Sequence, residues 1–265
     1  MSRKKLIKTP IPSLTEMREF SSLMIQMIDQ FSTRFKNQVF GEMTKKTVDK
    51  FADAQVGNFA TIFLKLTKAV KKKLLAQYSN DRIEVMVKEI TGRIDRRNKT
   101  LLYGKIEETI GIDTAELIKN EGLSSTINAY RLETEQYVKK LRDETLEVYI
   151  ANSLRVMSLG GSLEDVMSEL ELTGYKKKNN AKLIARTQIA TFNSLLTKAR
   201  AQKLGIEKAI WQTSSDERVR RCHAVRDGKE FDLDKGLYSS CDKKTLLPGV
   251  DINCRCTSLL ILPED

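Results

Sequence analysis

Apolar residues recur at spacings of three and four through most of this 265-residue chain, and the pattern stops at Gly205. Such spacing gives each helix one apolar stripe, which is buried by packing against another element. The first stripe runs through Leu14, Met17, Phe20, Leu23, Met24, Met27, Ile28 and Phe31, opened by a Ser13–Glu16 capping box. A second runs from about Lys45 to Tyr78, with Val48, Phe51, Val56, Phe59, Ile62, Phe63 and Leu66 on its apolar side. Asp81 caps a third that reaches Ile90, with Gly92 ending or kinking it. Residues 100–122, holding Gly104 and Gly111, read as a short helix and a loop, and Ser124 or Ser125 starts a long helix through Arg155. Ser162 with Asp165 caps the next. The stretch GYKKKNN then interrupts the pattern, and Asn179 or Asn180 caps a helix to Lys203.

Beyond Gly205 the chain changes character. The segment from Trp211 to Cys256 holds the only Trp, the only His and all four Cys of the chain. Ile210 and Trp211 sit in a short strand pattern, residues 216–227 form a short helix or turn, and Lys229–Phe231 is a brief strand. Residues 232–248 read as a polar loop, and Thr257–Leu262 as a terminal strand. The expected fold class is mainly α: a flexible basic arm over 1–12, helices over 13–178, and a small α+β module over 179–265. Pro10 and Pro12 oppose helix in the arm.

A module with so slight an apolar core needs a metal or a tight polar network to hold it. Cys222, His223, Cys241, Cys254 and Cys256 are five candidates for the four positions of a structural zinc. Neighbours such as Cys222 and His223 have diverging side chains, so one of the two is a spectator. Reduced cysteines serving as small buried hydrophobes are the competing reading. Disulfides are disfavoured, because no signal peptide precedes the chain.

The order WQTSSDERVRRCHAVRDGKEF … PGVDINCRC resembles the C-terminal signature of the Mu F-like phage head morphogenesis family, the minor head proteins. The pattern falls on Trp211, Asp216, Arg218, Val219, Arg220, His223, Asp227, Gly228, Pro248, Gly249, Asn253, Cys254, Arg255 and Cys256. Upstream, Ala185, Arg186, Thr187 and Asn193 match a family helix on which Arg186 and Asn193, two turns apart, look like a clasp against the module. Many members place Cys-x-x-Cys before the Asp-Gly, where this chain has Arg220, Arg221 and Cys222. Some members carry toxin domains after the signature; with nine residues beyond Cys256, none is expected here.

Charge adds one expectation. Residues 207–265 hold 10 Lys and Arg against 11 Asp and Glu, whereas the rest holds 36 against 24. The helical portion therefore carries the positive charge and is the part that meets polyanions. Arg93, Arg96, Arg97 and Lys99 make its densest basic patch, suited to DNA phosphates rather than base reading. No apolar run approaches the roughly eighteen residues of a membrane span.

The resemblance implies a structural minor head protein and no enzyme. Its partners would be the portal protein, major capsid or scaffold proteins, and packaged DNA. Its place would be the virion, in the head interior or at the portal vertex, with the host cytoplasm during assembly. The runner-up is a metal-dependent nuclease acting on the same polyanion, and a plain helical DNA-binding protein ranks third.

Overall fold

A computed structural model of the chain describes residues 5–44 and 53–263. Helices make up 67% of it, and its strands lie at 6–8 and 208–261, so the chain is mainly α with a small C-terminal α+β module. The elements in order are β1 (Leu6–Lys8), α1 (Leu14–Arg34), a π-helical turn (Phe35–Phe40), α2 (Gly41–Thr44), α3 (Asp53–Gln77), α4 (Asn80–Ile110), α5 (Ala115–Lys119), α6 (Ser124–Ser158) and α7 (Leu163–Lys203). Then come β2 (Lys208–Gln212), α8 (Arg221–Ala224), β3 (Glu230–Asp232), β4 (Leu237–Ser239), β5 (Lys244–Leu246) and β6 (Thr257–Ile261). Of the expected second stripe, Lys45, Val48 and Phe51 lie outside the described residues, as do the side chains of Val56 and Phe59.

The caps expected at Ser13 and Ser162 form, whereas α4 is capped by Ser79 rather than Asp81, the Ser79 hydroxyl accepting from the Arg82 amide at 3.3 Å. The Ser13 hydroxyl accepts from the Glu16 amide at 3.2 Å. At α7 the box is reciprocal: the Ser162 amide donates to Asp165 Oδ2 at 2.7 Å, and the Asp165 amide to Ser162 Oγ at 3.2 Å. Two orphan donors are thereby satisfied.

The expected breaks inside helices do not occur. α4 passes Gly92 and Gly104 and ends only at Gly111, whose φ of +72° takes the backbone out of the helix. An interior Gly costs about 1 kcal/mol relative to Ala. The buried row Ile83, Val87, Ile90, Ile94, Leu102, Tyr103 and Ile106 outweighs that cost. α7 likewise runs straight through GYKKKNN. There, a Cβ built on Gly174 would stand 2.8 Å from the hydroxyl of Tyr149, itself 1% exposed. The glycine is a site of close approach, not a terminator. Gly174→Ala should therefore destabilise the protein by about 1–3 kcal/mol in chemical denaturation. Adding Tyr149→Phe, which removes the clashing oxygen, should recover most of that loss; no recovery would refute the steric account.

The helices and strands sort into two compact units that cut across the expected boundary at 178 and 179. One comprises Arg18–Val87 and Glu133–Ile184. It is all helical, with edge-to-face pairs Phe31–Tyr78 and Phe35–Tyr149, both 5.6 Å between centroids. Arg142 binds the α3–α4 corner, donating to the Tyr78 carbonyl at 2.9 Å and to Asn80 Oδ1 at 3.0 Å.

The other unit comprises Met1–Met17, Lys88–Leu132 and Ala185–Asp265. Its sheet is antiparallel in the order β1-β6-β2-β3. The inward row of Ile7, Ala209, Trp211, Phe231 and Leu260 packs with Leu102, Tyr103 and Ile106 of α4 and Ala201 of α7. Residues 1–4 of the expected basic arm lie outside the described residues, and the part that follows is no free arm: residues 6–8 form an edge strand, with Ile7 opposite Leu260 and the Thr9 hydroxyl donating to the Ser258 carbonyl at 2.8 Å. Pairing Ile7 with a strand 253 residues later is invisible to local sequence pattern. The expected loop over 232–248 contains a second small sheet, the β4–β5 hairpin, whose strands lack the alternation that reveals strands.

Candidate metal centre

α8 is one turn long and points its two neighbouring residues in different directions. Cys222 turns toward the β4–β5 hairpin and is bonded to Cys241, with 6.1 Å between the Cα atoms. This overturns two expectations at once. A disulfide is present, and Cys222 and Cys241 leave the ligand set. The hairpin, unforeseen from sequence, is what brings Cys241 within bonding range.

His223, 4% exposed, turns the other way, toward the loop before β6. Its Nδ1 stands 3.3 Å from the sulfur of Cys256 and 3.5 Å from that of Cys254. A tetrahedral zinc separates its nitrogen and sulfur donors by about 3.5 Å, given Zn–N near 2.0 Å and Zn–S near 2.3 Å. Those two distances suit a zinc ion, and all three residues are buried, with their ligand atoms within 4.8 Å of one another. On the far side of the ring, Nε2 lies 3.3 Å from Asp251 Oδ2. The contact is a close approach without hydrogen-bond geometry, and it puts a carboxylate where the outer partner of a metal-bound imidazole stands. The neighbouring Cys256 thiol draws the Cys254 pKa below the usual thiol range, and the same contact together with burial pushes Cys256 up. One thiolate is thus already favoured, as metal binding requires.

The remaining signature residues hold the two loops around this cluster. Arg255 forks onto Asp216, with one arm at 2.7 Å, and this pulls the Asp216 carboxyl below its usual range. Arg220 bonds Asp251 and the carbonyl of Ile252. Asp227 Oδ1 accepts from the amide of Thr213 at 2.7 Å, and Gly228 donates to the Trp211 carbonyl at 2.9 Å, closing the β2–β3 connection. Trp211 lies under the guanidinium of Arg226, 4.4 Å from its ring centroid, and edge-on to His223. The chain at Pro248–Gly249 passes close to α7. Gly249 has φ of +86°, and a Cβ there would stand 3.3 Å from the Ala190 carbonyl.

α7 grips that loop with hydroxyls at helical spacing. Thr187 Oγ1 accepts from the Asn253 amide at 3.0 Å, while Thr191 and Ser194 donate to the carbonyls of Val250 and Pro248 at 3.3 and 2.6 Å. The clasp expected of Arg186 and Asn193 is thus made by other residues of the same helix. Asn193 turns elsewhere, donating to the Pro10 carbonyl at 2.7 Å and accepting from Asn98 at 2.9 Å. Arg186 is exposed and takes no part.

The expected DNA patch is divided. Arg93 and Arg96 are exposed, whereas Arg97 donates to the Ile11 carbonyl at 2.8 Å and Lys99 pairs with buried Glu121 at 2.7 Å. Sequence reasoning also missed Asp251, Arg226 and Arg200. Asp251 stood in view, three residues before Cys254; Arg226 and Arg200 carry no local signal, since their side-chain partners, Trp211 and Ser239 for one and Asp95, Asn98 and Glu121 for the other, are remote in sequence.

The buried cluster and its loop staples define a small cysteine–histidine-centred module attached to a long helix. The chain belongs to the family described as Phage Mu protein F like protein, whose pattern matches residues 65–259. That membership places it among phage head morphogenesis proteins. A protein of Haemophilus influenzae, described as uncharacterized, is 28% identical over 241 residues, 91% of this chain and 53% of its own length. The NAD(+)–arginine ADP-ribosyltransferase EFV of Enterococcus faecalis is 25% identical over 202 residues, 71% of this chain and 41% of its own length. The chain thus spans about half or less of these relatives. No solved structure matches it. No helix among the described residues is long and apolar enough to cross a membrane.

Proposed function

We propose that this chain is a structural minor head protein, present in few copies at the portal vertex or head interior and aiding capsid assembly and DNA packaging or delivery. The observation that carries the reading is family membership over residues 65–259, which includes the whole His223–Cys254–Cys256 cluster. In this reading the module is an anchor organised by a zinc held on those three residues, its fourth position filled by water or by a side chain of a partner, with Asp251 behind the imidazole. The positively charged helical portion faces the portal, the inner shell or packaged DNA, touching DNA through phosphates at Arg93 and Arg96. A structural role, not a catalytic one, is supported by how the signature is used. Asp216, Arg220, Asp251 and Arg255 are engaged in tying loops together rather than turned toward a reactant.

The test is to purify virus particles and quantify this chain by mass spectrometry against the portal protein. A few copies per portal ring are expected. Its absence from particles of a strain that makes it, together with divalent-ion-dependent plasmid nicking lost in His223→Ala, would replace this reading with a nuclease.

A further inference from the structure

Beside the cluster lies a cleft of about 720 Å³, within the size range of ligand-binding pockets. Five cations line it: Lys8, Arg186, Arg218, Arg220 and Arg255. No Asp, Glu or His is among the lining residues. Arg220 and Arg255 are balanced from behind by Asp251 and Asp216. The other three are not so neutralised. Arg218 is 73% exposed and reaches Asp216 and Glu217 only at 3.8 and 4.0 Å, and Lys8 and Arg186 are exposed without an acidic partner among the described residues. Concave walls of one charge focus the field on whatever enters.

The opposite wall is aliphatic. Ile11 is 54% and Leu14 67% exposed, with Met17 beside them. Leaving two such side chains in water within a single cleft is costly unless something covers them. The cleft also carries two of the three non-glycine residues with positive φ among the described residues, Ser215 at 53° and Asn253 at 55°. Strained backbone of this kind collects at ligand clamps.

We propose that this cleft docks an acidic segment of a partner protein, one in which carboxylates alternate with aliphatic side chains. The carboxylates meet Lys8, Arg186 and Arg218, and the aliphatic side chains cover Ile11, Leu14 and Met17. A nucleic acid strand suits the arginines but not the aliphatic wall, and the lining has no aromatic ring on which a base could stack. The inference does not depend on where the protein sits in a particle.

The test uses the full purified chain and three fluorescent probes followed by anisotropy. These are a peptide of Asp-Leu-Glu-Ala repeats, its Asn-Leu-Gln-Ala counterpart, and oligothymidylate. The acidic peptide should bind, and the amide peptide should not. Arg186→Glu combined with Arg218→Glu should weaken binding about tenfold or more. Leu14→Ser should weaken it roughly threefold or more. These side chains are exposed, so melting temperature should stay unchanged; Lys8→Glu replaces either arginine variant if one fails to fold. Three outcomes would overturn the proposal: no binding of the acidic peptide, binding that ignores these substitutions, or tighter binding of oligothymidylate with the same sensitivity to them, which would make the cleft a phosphate site.

Discussion

Replacing Cys254 and Cys256 together by Ser should abolish the cooperative melting of the unit that holds the sheet, and a zinc chelator applied to the parent protein should do the same. His223 Nδ1 already stands from each sulfur at close to the separation a tetrahedral zinc requires, and the three ligand atoms lie within 4.8 Å of one another. Structural zinc contributes apparent free energies of about 10–16 kcal/mol at neutral pH. That is as large as the whole stability of a typical domain, about 5–15 kcal/mol. The packing alternative predicts a far smaller change, roughly 1–3 kcal/mol for each buried thiol turned into a hydroxyl with incomplete hydrogen bonding. The two accounts are therefore separable by size alone. About one zinc per chain in the parent, and none in the double variant, is the expected elemental analysis. A parent protein free of metal whose melt ignores the chelator would sink the metal and leave the sulfurs as packing groups. His223→Ala should behave like the cysteine variant, whereas Cys241→Ala, outside the ligand set, should keep its zinc.

Arg200→Ala should cost about 3–5 kcal/mol. Arg200 is 0% exposed in the last turn of α7 and donates to Glu121, to Asp95 and, at 2.6 Å, to Asn98 Oδ1. Removing it leaves a buried carboxylate faced only by Lys99 and, at 3.4 Å, by the Tyr103 hydroxyl. The control is Arg200→Met with Glu121→Leu, which removes both charges and should restore much of the loss, because a buried ion pair is of little net value against apolar groups of similar shape. An equal loss in both variants would mean that packing, not charge, is what Arg200 supplies. The same network sets part of the acid limb. Burial alone would raise the Glu121 pKa, but the hydrogen bonds and charges of Arg200 and Lys99 outweigh it and hold the group below 4.5. A depressed carboxylate contributes stability that is present above its unfolded pKa and lost as pH falls through its folded one. Melting temperature should accordingly fall as pH drops below about 4.5, and less steeply in Glu121→Gln.

Much of the candidate site could be read in advance, because its chemistry is concentrated in rare residues. One Trp, one His and the Cys-Arg-Cys run were enough to locate the cluster and the family. What could not be read was which cysteines stay free. Cys222 and His223 are equivalent candidates by type and position; only the β4–β5 hairpin, which delivers Cys241 to Cys222, separates them. Asp251 was in plain view but had no role to suggest until the ring of His223 was seen to turn Nε2 toward it. Arg186 and Asn193 share a helix face by spacing, yet neither makes the clasp, since Asn193 turns to the Pro10 carbonyl and Arg186 is exposed.

The sequence by itself determined the helices as elements, their caps at Ser13 and Ser162, the strands around Trp211 and Leu260, and the family. Those signals act within three or four residues, where side-chain spacing and capping bonds decide the backbone. The tertiary structure alone decided the rest: that α4 and α7 run unbroken through Gly92, Gly104 and GYKKKNN, that residues 6–8 become an edge strand, and that the chain sorts into two units drawn from separated stretches. In each case a weak local preference, about 1 kcal/mol for an interior glycine, is outweighed by burial against residues tens to hundreds of positions away.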